Sequence, residues 1–218
     1  MREEFNKKGY LFVKDLVDPQ ELTCEVPLQR GLLDYHGSLE KVSYGEIETQ
    51  VEGSLSRYNY PPYKKIHYKV KNKLESIIGE DLYPTYYYDR FYFPGQELTR
   101  HTDRHSCEIS VSIHIRTNLK DPWFFWVRGA DSEDGFVDMD PGDGLIYKGC
   151  ERPHWREPMP GVKRNKLRKL LGKEELFYHQ AFFHHVLANG TRAHHAWDMV
   201  NKSKMVRQNG CRNRTFHR

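Results

Sequence analysis

Apolar residues recur at helical spacing between Pro62 and Ile78, while lysines fill the opposite face. A stripe three or four residues apart is typical of an amphipathic helix packed on a core, and Gly79 follows as a stop signal. The pattern therefore predicts a helix over about 62–78, with an apolar stripe formed by Ile66, Val70, Leu74 and Ile77/Ile78.

The opening segment FNKKGYLFVKDLVDPQEL predicts a strand around Tyr10 to Val13, a turn at Asp18-Pro19 and a helix entered from that proline. From Leu82 the pattern changes to short runs with two-residue alternation, which favours an all-β sandwich or barrel. These runs are TYYYDRFYF, CEISVSIHIR, WFFWVR, GFVDMD, GLIYKG and FYHQAFFHHV. The basic, helix-prone segment VKRNKLRKLLGKEEL between the last two is interpreted as an insertion.

The length of 218 residues suits one well-buried core. We expect one globular domain in three parts: an N-terminal strand with supporting helices over 1–80, a β-rich core over 81–190, and a basic tail over 191–218. Hydrophobic residues make up 38% of the chain and aromatic residues 13%, as in a folded protein.

Charge is concentrated at the C-terminus. Residues 191–218 carry seven Lys or Arg and one Asp, a net of +6, which leaves 4 − 6 = −2 for residues 1–190. A solvated, frayed terminus accounts for such a tail, and a salt-sensitive attraction to nucleic acid is the functional alternative. Nothing else in the sequence supports nucleic-acid binding strongly.

The N-terminus lacks the apolar run of a signal peptide, and no stretch approaches the roughly 18 apolar residues of a membrane helix. The four cysteines contain no C-x-x-C pair. We therefore expect a cytoplasmic protein with reduced thiols and no membrane partner.

Candidate chemistry begins in the stretch FPGQELTRHTD, which carries His101 and Asp103 two residues apart. On an extended chain such residues point to the same side, so the H-x-D pair directs an imidazole and a carboxylate to one point. His154 follows some fifty residues later in GDGLIYKGCERPHWREP. Together the three residues have the composition of a two-histidine, one-carboxylate metal site.

The strand before the H-x-D pair has an unusual face, because Tyr86, Tyr88, Arg90 and Tyr92 alternate along it. A buried guanidinium must be paired. We therefore expect an anion to meet Arg90.

The blocks PTYYYDRFYFPGQELTRHTDRHSCEIS and GDGLIYKGCERPHWREP, in this order and spacing, resemble the 2-oxoglutarate- and Fe(II)-dependent oxygenases of the prolyl-4-hydroxylase-like superfamily, in particular a bacterial and viral branch. The resemblance spans about Leu82 to Val186. It implies a double-stranded β-helix, a cupin-like jelly roll that is mainly β with flanking helices. It also implies a dioxygenase that uses Fe(II), 2-oxoglutarate and O₂, hydroxylates a C–H bond, and releases succinate and CO₂.

Carried onto this sequence, the resemblance makes His101, Asp103 and His154 the iron ligands. It makes Tyr92 a hydroxyl donor to the distal carboxylate of 2-oxoglutarate. The substrate it suggests first is a peptidyl proline, with a small molecule as the alternative.

The basic partner of that distal carboxylate is the point of departure from the family pattern. In prolyl hydroxylases it opens the strand after the second histidine, but FYHQAFFHHV contains no Lys or Arg. Three candidates remain, namely Arg156, Arg164 and Arg90. Arg156 is favoured because an extended chain places it on the same face as His154, whereas Arg164 lies in the inserted segment.

Two other interpretations fit parts of the sequence. A cupin-like metalloenzyme that does not use 2-oxoglutarate would take His101 and His105 from HTDRH. A non-enzymatic β-sandwich binding module would hold a peptide or nucleic acid through its basic tail and tyrosine-rich face.

Overall fold

The computed structural model describes residues 1–25, 30–45 and 48–197. The described chain contains three α-helices: α1 (Arg2–Lys8), α2 (Lys64–Ile78) and α3 (Val162–Leu170). Its strands are β1 (Tyr10–Val13), β2 (Gly31–Asp34), β3 (Ser43–Gly45), β4 (Leu55–Tyr58), β5 (Leu82–Tyr92), β6 (Leu98–His101), β7 (Ile109–Thr117), β8 (Phe125–Arg128), β9 (Asp134–Val137), β10 (Gly144–Tyr147), β11 (His154–Arg156) and β12 (Tyr178–Leu187).

The strands form two sheets that face each other. The large sheet has the order β1-β10-β7-β12-β5-β4-β2-β3, and the small sheet has the order β6-β11-β8-β9. From β5 onward the chain passes back and forth between the sheets, so sequential strands lie in opposite layers except for the β8–β9 hairpin, which lies within the small sheet. This arrangement is the predicted double-stranded β-helix, and the fold class read from the sequence is confirmed.

The large sheet separates two environments, because successive residues of β5 point to opposite faces. Tyr87 and Phe183 face α2, whose predicted apolar stripe is buried against them. Tyr86, Tyr88 and Tyr92 face the small sheet, where they belong to a buried cluster with Leu98 of β6 and with Trp123, which precedes β8. The predicted helix is confirmed; it begins at Lys64, after a 3₁₀ turn over Pro61–Tyr63.

The N-terminal segment joins the same sheet. β1 forms as predicted and pairs with β10, while β4 pairs with β5. The helix expected from Pro19 is wrong, because Pro19–Glu21 forms only one 3₁₀ turn, in which the Asp18 carboxylate accepts a hydrogen bond from the Gln20 amide at 2.9 Å. Leu22, which follows the turn, is buried, but none of the three residues of the turn is, so no apolar face is available to stabilise a longer helix by packing.

The large sheet is continuous across residue 80, so β1 to β4 share it with the strands of the predicted 81–190 core. The predicted helix in the inserted segment is present as α3. Within the described residues, no helix combines the length and apolar character that a membrane span requires. Most of the predicted basic tail, residues 198–218, lies outside the described residues, and its role stays a prediction.

Candidate active site

Three predicted residues meet between the two sheets. The Nε2 atoms of His101 and His154 lie 3.6 and 3.5 Å from Oδ1 of Asp103, and the two imidazole rings are 4.4 Å apart. His154 pairs directly with His101 across the β11–β6 ladder. Cross-strand pairing therefore brings together residues that are 53 positions apart in sequence.

Backbone carbonyls hold both imidazoles in one orientation. His101 Nδ1 lies 2.8 Å from the carbonyl oxygen of Thr99, and His154 Nδ1 lies 2.9 Å from that of Arg152. Each Nδ1 therefore donates its proton to a carbonyl, and each Nε2 faces Asp103.

Asp103 lies just past the end of β6 rather than inside it. Its amide donates a hydrogen bond to the Gly149 carbonyl at 2.8 Å, which fixes the turn. Burial alone would raise the pKa of this carboxyl group, but the adjacent imidazoles of His154 and His101 outweigh burial and hold the pKa well below its ordinary value. The group is therefore an anion at neutral pH.

This donor set fits a divalent transition metal. Two donors that each lie about 2.1 Å from one ion are at most about 4.2 Å apart, and both histidine–aspartate separations are shorter than this limit. The three ligand atoms all lie within 4.8 Å of one another. Two imidazoles and one carboxylate are the ligands of non-haem Fe(II) sites that leave coordination positions open.

Arg156 projects from β11 on the same side as His154, with Trp155 turned outward, and only 1% of it is exposed. Its guanidinium donates to Gln180 Oε1 at 3.1 Å, to the Tyr178 hydroxyl at 3.2 Å and to the Trp123 carbonyl. All three acceptors are neutral. Within the described part of the chain, no carboxylate lies within 4.0 Å of this guanidinium.

Arg90 has a different environment, although it is equally buried. Its Nη2 atom lies 3.4 Å from Glu48 Oε2 and donates to Gln50 Oε1 at 2.9 Å. The anion that the sequence led us to expect at Arg90 is therefore a carboxylate of the chain itself. Arg90 Nη1 also donates to the Tyr92 hydroxyl at 3.3 Å.

Tyr92 is buried and packs edge-to-face on Trp123, with ring centroids 5.0 Å apart. The Arg156 guanidinium lies over the ring of the same tryptophan, 4.4 Å from its centroid. Tyr92 and Arg156 therefore meet at the same tryptophan, in the interior of the jelly roll.

The remaining candidates lie elsewhere. Arg164 lies on α3, where its Nη2 atom pairs with Asp121 at 2.6 Å and its side chain is 40% exposed. His105 is exposed, contacts Arg192 and lies parallel to His195. The structure therefore brings neither Arg164 nor His105 to the three-residue cluster.

Sequence analysis missed several residues that contact the site. Gln50 Nε2 lies 3.1 Å from His101 Nε2, but it comes from an irregular segment that gives no periodic signal. Ser110 donates to Asp103 Oδ2 at 3.1 Å and contacts His184 Nδ1 at 2.9 Å. Ser110 and His184 lie on predicted strands, so the two-residue alternation of those strands would have placed both side chains on the inner face.

The fold and the site together define a class. Many solved structures with this architecture are 2-oxoglutarate- and Fe(II)-dependent oxygenases, including prolyl hydroxylases, so the chain has the fold of that class. The resemblance read from the sequence is confirmed at the level of the fold. Neither a protein-family profile nor a curated protein matches the chain.

Three of these structures illustrate the similarity. A Pseudomonas putida prolyl-4-hydroxylase matches with a TM-score of 0.51 and 14% identity, over 84% of this chain and 95% of its own. The viral collagen prolyl hydroxylase of Paramecium Bursaria Chlorella virus-1, solved with 2-oxoglutarate, matches with 0.51 and 11%, over 83% and 97%. The 2-oxoglutarate-dependent epimerase SnoN of nogalamycin biosynthesis matches with 0.55 and 9%, over 84% and 79%.

Proposed function

We propose that this protein is an Fe(II)- and 2-oxoglutarate-dependent dioxygenase that hydroxylates a substrate C–H bond and releases succinate and CO₂. The observation that carries the proposal is the convergence of His101, Asp103 and His154 on one point inside a jelly roll. The epimerase among the structural neighbours shows that this fold supports more than one outcome, and hydroxylation is the outcome proposed here.

In this proposal His101, Asp103 and His154 hold the iron through Nε2, Oδ1 and Nε2. When bound, the iron and 2-oxoglutarate supply the oxidising chemistry, which needs no general base from the protein. The chain's own groups position the reactants: the carbonyls of Thr99 and Arg152 accept from Nδ1 of the two imidazoles and so hold each Nε2 toward Asp103. The ionised carboxylate offsets part of the metal charge.

We assign the distal carboxylate of 2-oxoglutarate to Arg156. A buried guanidinium surrounded by neutral acceptors is an uncompensated charge, which folding tolerates poorly unless an anion arrives. Arg156 lies two residues after a proposed iron ligand, about 7 Å along an extended strand, which is on the scale of a five-carbon diacid. Arg90 is less suited, because Glu48 already balances its charge.

Tyr92 is assigned as the hydroxyl donor to the same carboxylate. Its hydroxyl already accepts a hydrogen bond from Arg90, so its own proton remains available for an acceptor. Its contact with Trp123 also keeps it beside Arg156.

The substrate class proposed first is a peptidyl proline, with a small molecule as the alternative. Support comes from the prolyl hydroxylases among the structural neighbours, one of which was solved with a peptide fragment.

Succinate formation tests the proposed function. Purified protein loaded with Fe(II) without oxygen is exposed to O₂ with 2-oxoglutarate, with and without a proline-rich peptide pool. We expect iron-dependent succinate in the wild type, none in Asp103→Ala, and more in the presence of peptide. The control is Asp121→Ala, which removes a surface carboxylate that is bonded to Arg164.

The outcomes separate the rival interpretations. Metal binding without 2-oxoglutarate binding would favour a cupin-like metalloenzyme. Failure to bind either would refute the oxygenase proposal and leave a binding module. Turnover that rises with a small-molecule pool and not with peptide would replace the proposed substrate class.

A further inference from the structure

The Asp103 carboxylate is hydrogen-bonded on the side that faces away from the two histidines. Its Oδ1 atom faces both Nε2 atoms, whereas Oδ2 accepts a hydrogen bond from Ser110 at 3.1 Å. Ser110 Oγ in turn lies 2.9 Å from His184 Nδ1. Ser110 belongs to β7 and His184 to β12, two neighbouring strands of the large sheet.

The direction of these hydrogen bonds follows from the single proton of the Ser110 hydroxyl. That proton has three possible acceptors in reach: Asp103 Oδ2 at 3.1 Å, the Cys107 carbonyl at 3.3 Å and, in one tautomer, His184 Nδ1 at 2.9 Å. The carboxylate is the strongest acceptor because it is charged. Ser110 Oγ then accepts from His184 Nδ1–H, so the imidazole fixes the rotation of the hydroxyl.

Gly149 closes the other side of the carboxylate. Its carbonyl accepts from the Asp103 amide at 2.8 Å, and a β-carbon added at position 149 would collide with Asp103 Oδ2, Ser110 Oγ and the Cys107 carbonyl. One of these groups is the carboxylate of a candidate metal ligand and another is backbone. A side chain at position 149 would therefore have to displace one of them.

We propose that Ser110, His184 and Gly149 form a carboxylate cradle that fixes Asp103 so that only Oδ1 is offered to the metal. This inference rests on the proposed function, since it concerns how the same site holds its ion. Ser110 and His184 act as positioning residues, because they act on the metal through Asp103. Outer hydrogen-bond partners of this kind orient ligands and affect metal affinity.

Co(II) binding tests the cradle without turnover. Isothermal titration of metal-free protein with Co(II) gives the dissociation constant, and the visible absorption of bound Co(II) reports its ligand geometry. For Ser110→Ala we expect the dissociation constant to rise about 10- to 100-fold and the absorption bands to change. The matched control is Ser112→Ala, an equally buried serine on the same strand whose hydroxyl contacts Tyr147 instead.

A pair of variants at His184 separates positioning from packing. His184→Asn keeps an N–H donor near the Nδ1 position and is expected to stay within about threefold of wild type. His184→Leu removes the donor and is expected to weaken Co(II) binding about tenfold. The melting temperature of each metal-free variant shows whether it is folded.

The outcomes also separate this inference from the proposed function. Wild-type protein that binds neither Co(II) nor Fe(II) would overturn both. Wild-type protein that binds Co(II), together with a Ser110→Ala variant that matches Ser112→Ala in affinity and spectrum, would overturn the cradle alone.

Discussion

Replacing Arg156 by methionine removes a guanidinium and keeps a side chain of similar length. In the proposed complex this guanidinium and the distal carboxylate of 2-oxoglutarate form a buried, hydrogen-bonded charge pair. Removing one partner of such a pair costs about 2–5 kcal/mol. Since about 1.4 kcal/mol corresponds to a factor of ten, the dissociation constant of 2-oxoglutarate should rise between about 30-fold and a few thousandfold.

The assay is isothermal titration of Co(II)-loaded protein with 2-oxoglutarate in the absence of oxygen, so that no turnover occurs. Arg156 lies outside the proposed metal ligands, and Co(II) affinity should therefore remain within about threefold. Arg164→Met is the control: its guanidinium takes part in an exposed ion pair with Asp121, and such pairs contribute little. That variant should bind 2-oxoglutarate like the wild type.

One result would refute this assignment. If Arg156→Met is folded and binds 2-oxoglutarate within threefold of wild type, the guanidinium does not meet the distal carboxylate. A large loss of 2-oxoglutarate affinity in a folded Arg90→Met variant would then move the assignment to Arg90. Arg90 would in that case have to exchange the carboxylate of Glu48 for that of 2-oxoglutarate.

Two further predictions concern stability. Burial lowers the pKa of His67 to about 3 and that of His114 to about 4; because an unfolded histidine titrates near 6.5, the stability contributed by these neutral rings is complete above that pH and is lost as the pH falls below it. Between pH 7 and pH 5 the loss should reach about 4 kcal/mol for the two residues, and in urea unfolding His67→Leu should remove about 2 kcal/mol of the protein's total pH dependence, to which the buried His184 and His185 also contribute. Asp89→Asn should cost about 3–5 kcal/mol in the same assay, because it leaves Arg57 buried without its counter-charge; Glu4→Gln, which breaks an exposed pair, should cost under about 1 kcal/mol, and equal losses in the two variants would contradict the reasoning.

The sequence predicted the parts of the site that local periodicity encodes. His101 and Asp103 are two residues apart, and His154 and Arg156 share a strand face, so short-range alternation was enough to group them. It favoured Arg156 but left Arg90 open as a candidate, because both face inward. What distinguishes the two arginines is the carboxylate of Glu48, which pairs with Arg90 only. Glu48 lies 42 positions away from Arg90, in a segment that follows no periodic pattern.

Contacts between distant segments also could not be predicted from the sequence. Gln50 meets His101 across 51 positions, and Ser110 meets His184 across 74. The N-terminal strands β2 to β4 were also missed: unlike the continuous apolar run YLFV of β1, their three or four residues mix polar and apolar types, as GLLD, SYG and LSRY, and give no strand pattern.

The two adjacent charges on β5 have a consequence for folding fidelity. Asp89 faces the helical layer and pairs with Arg57, while Arg90 faces the interior and pairs with Glu48. A one-residue slip of a strand moves every side chain to the opposite face. A slip in one direction would place Asp89 at the position of Arg90, beside Glu48, and a slip in the other direction would place Arg90 at the position of Asp89, beside Arg57. Each slip would bury two like charges next to each other in a region of low dielectric. The order of the two charges along β5 therefore disfavours both slipped registers and helps to fix the alignment of the strand that carries Tyr92.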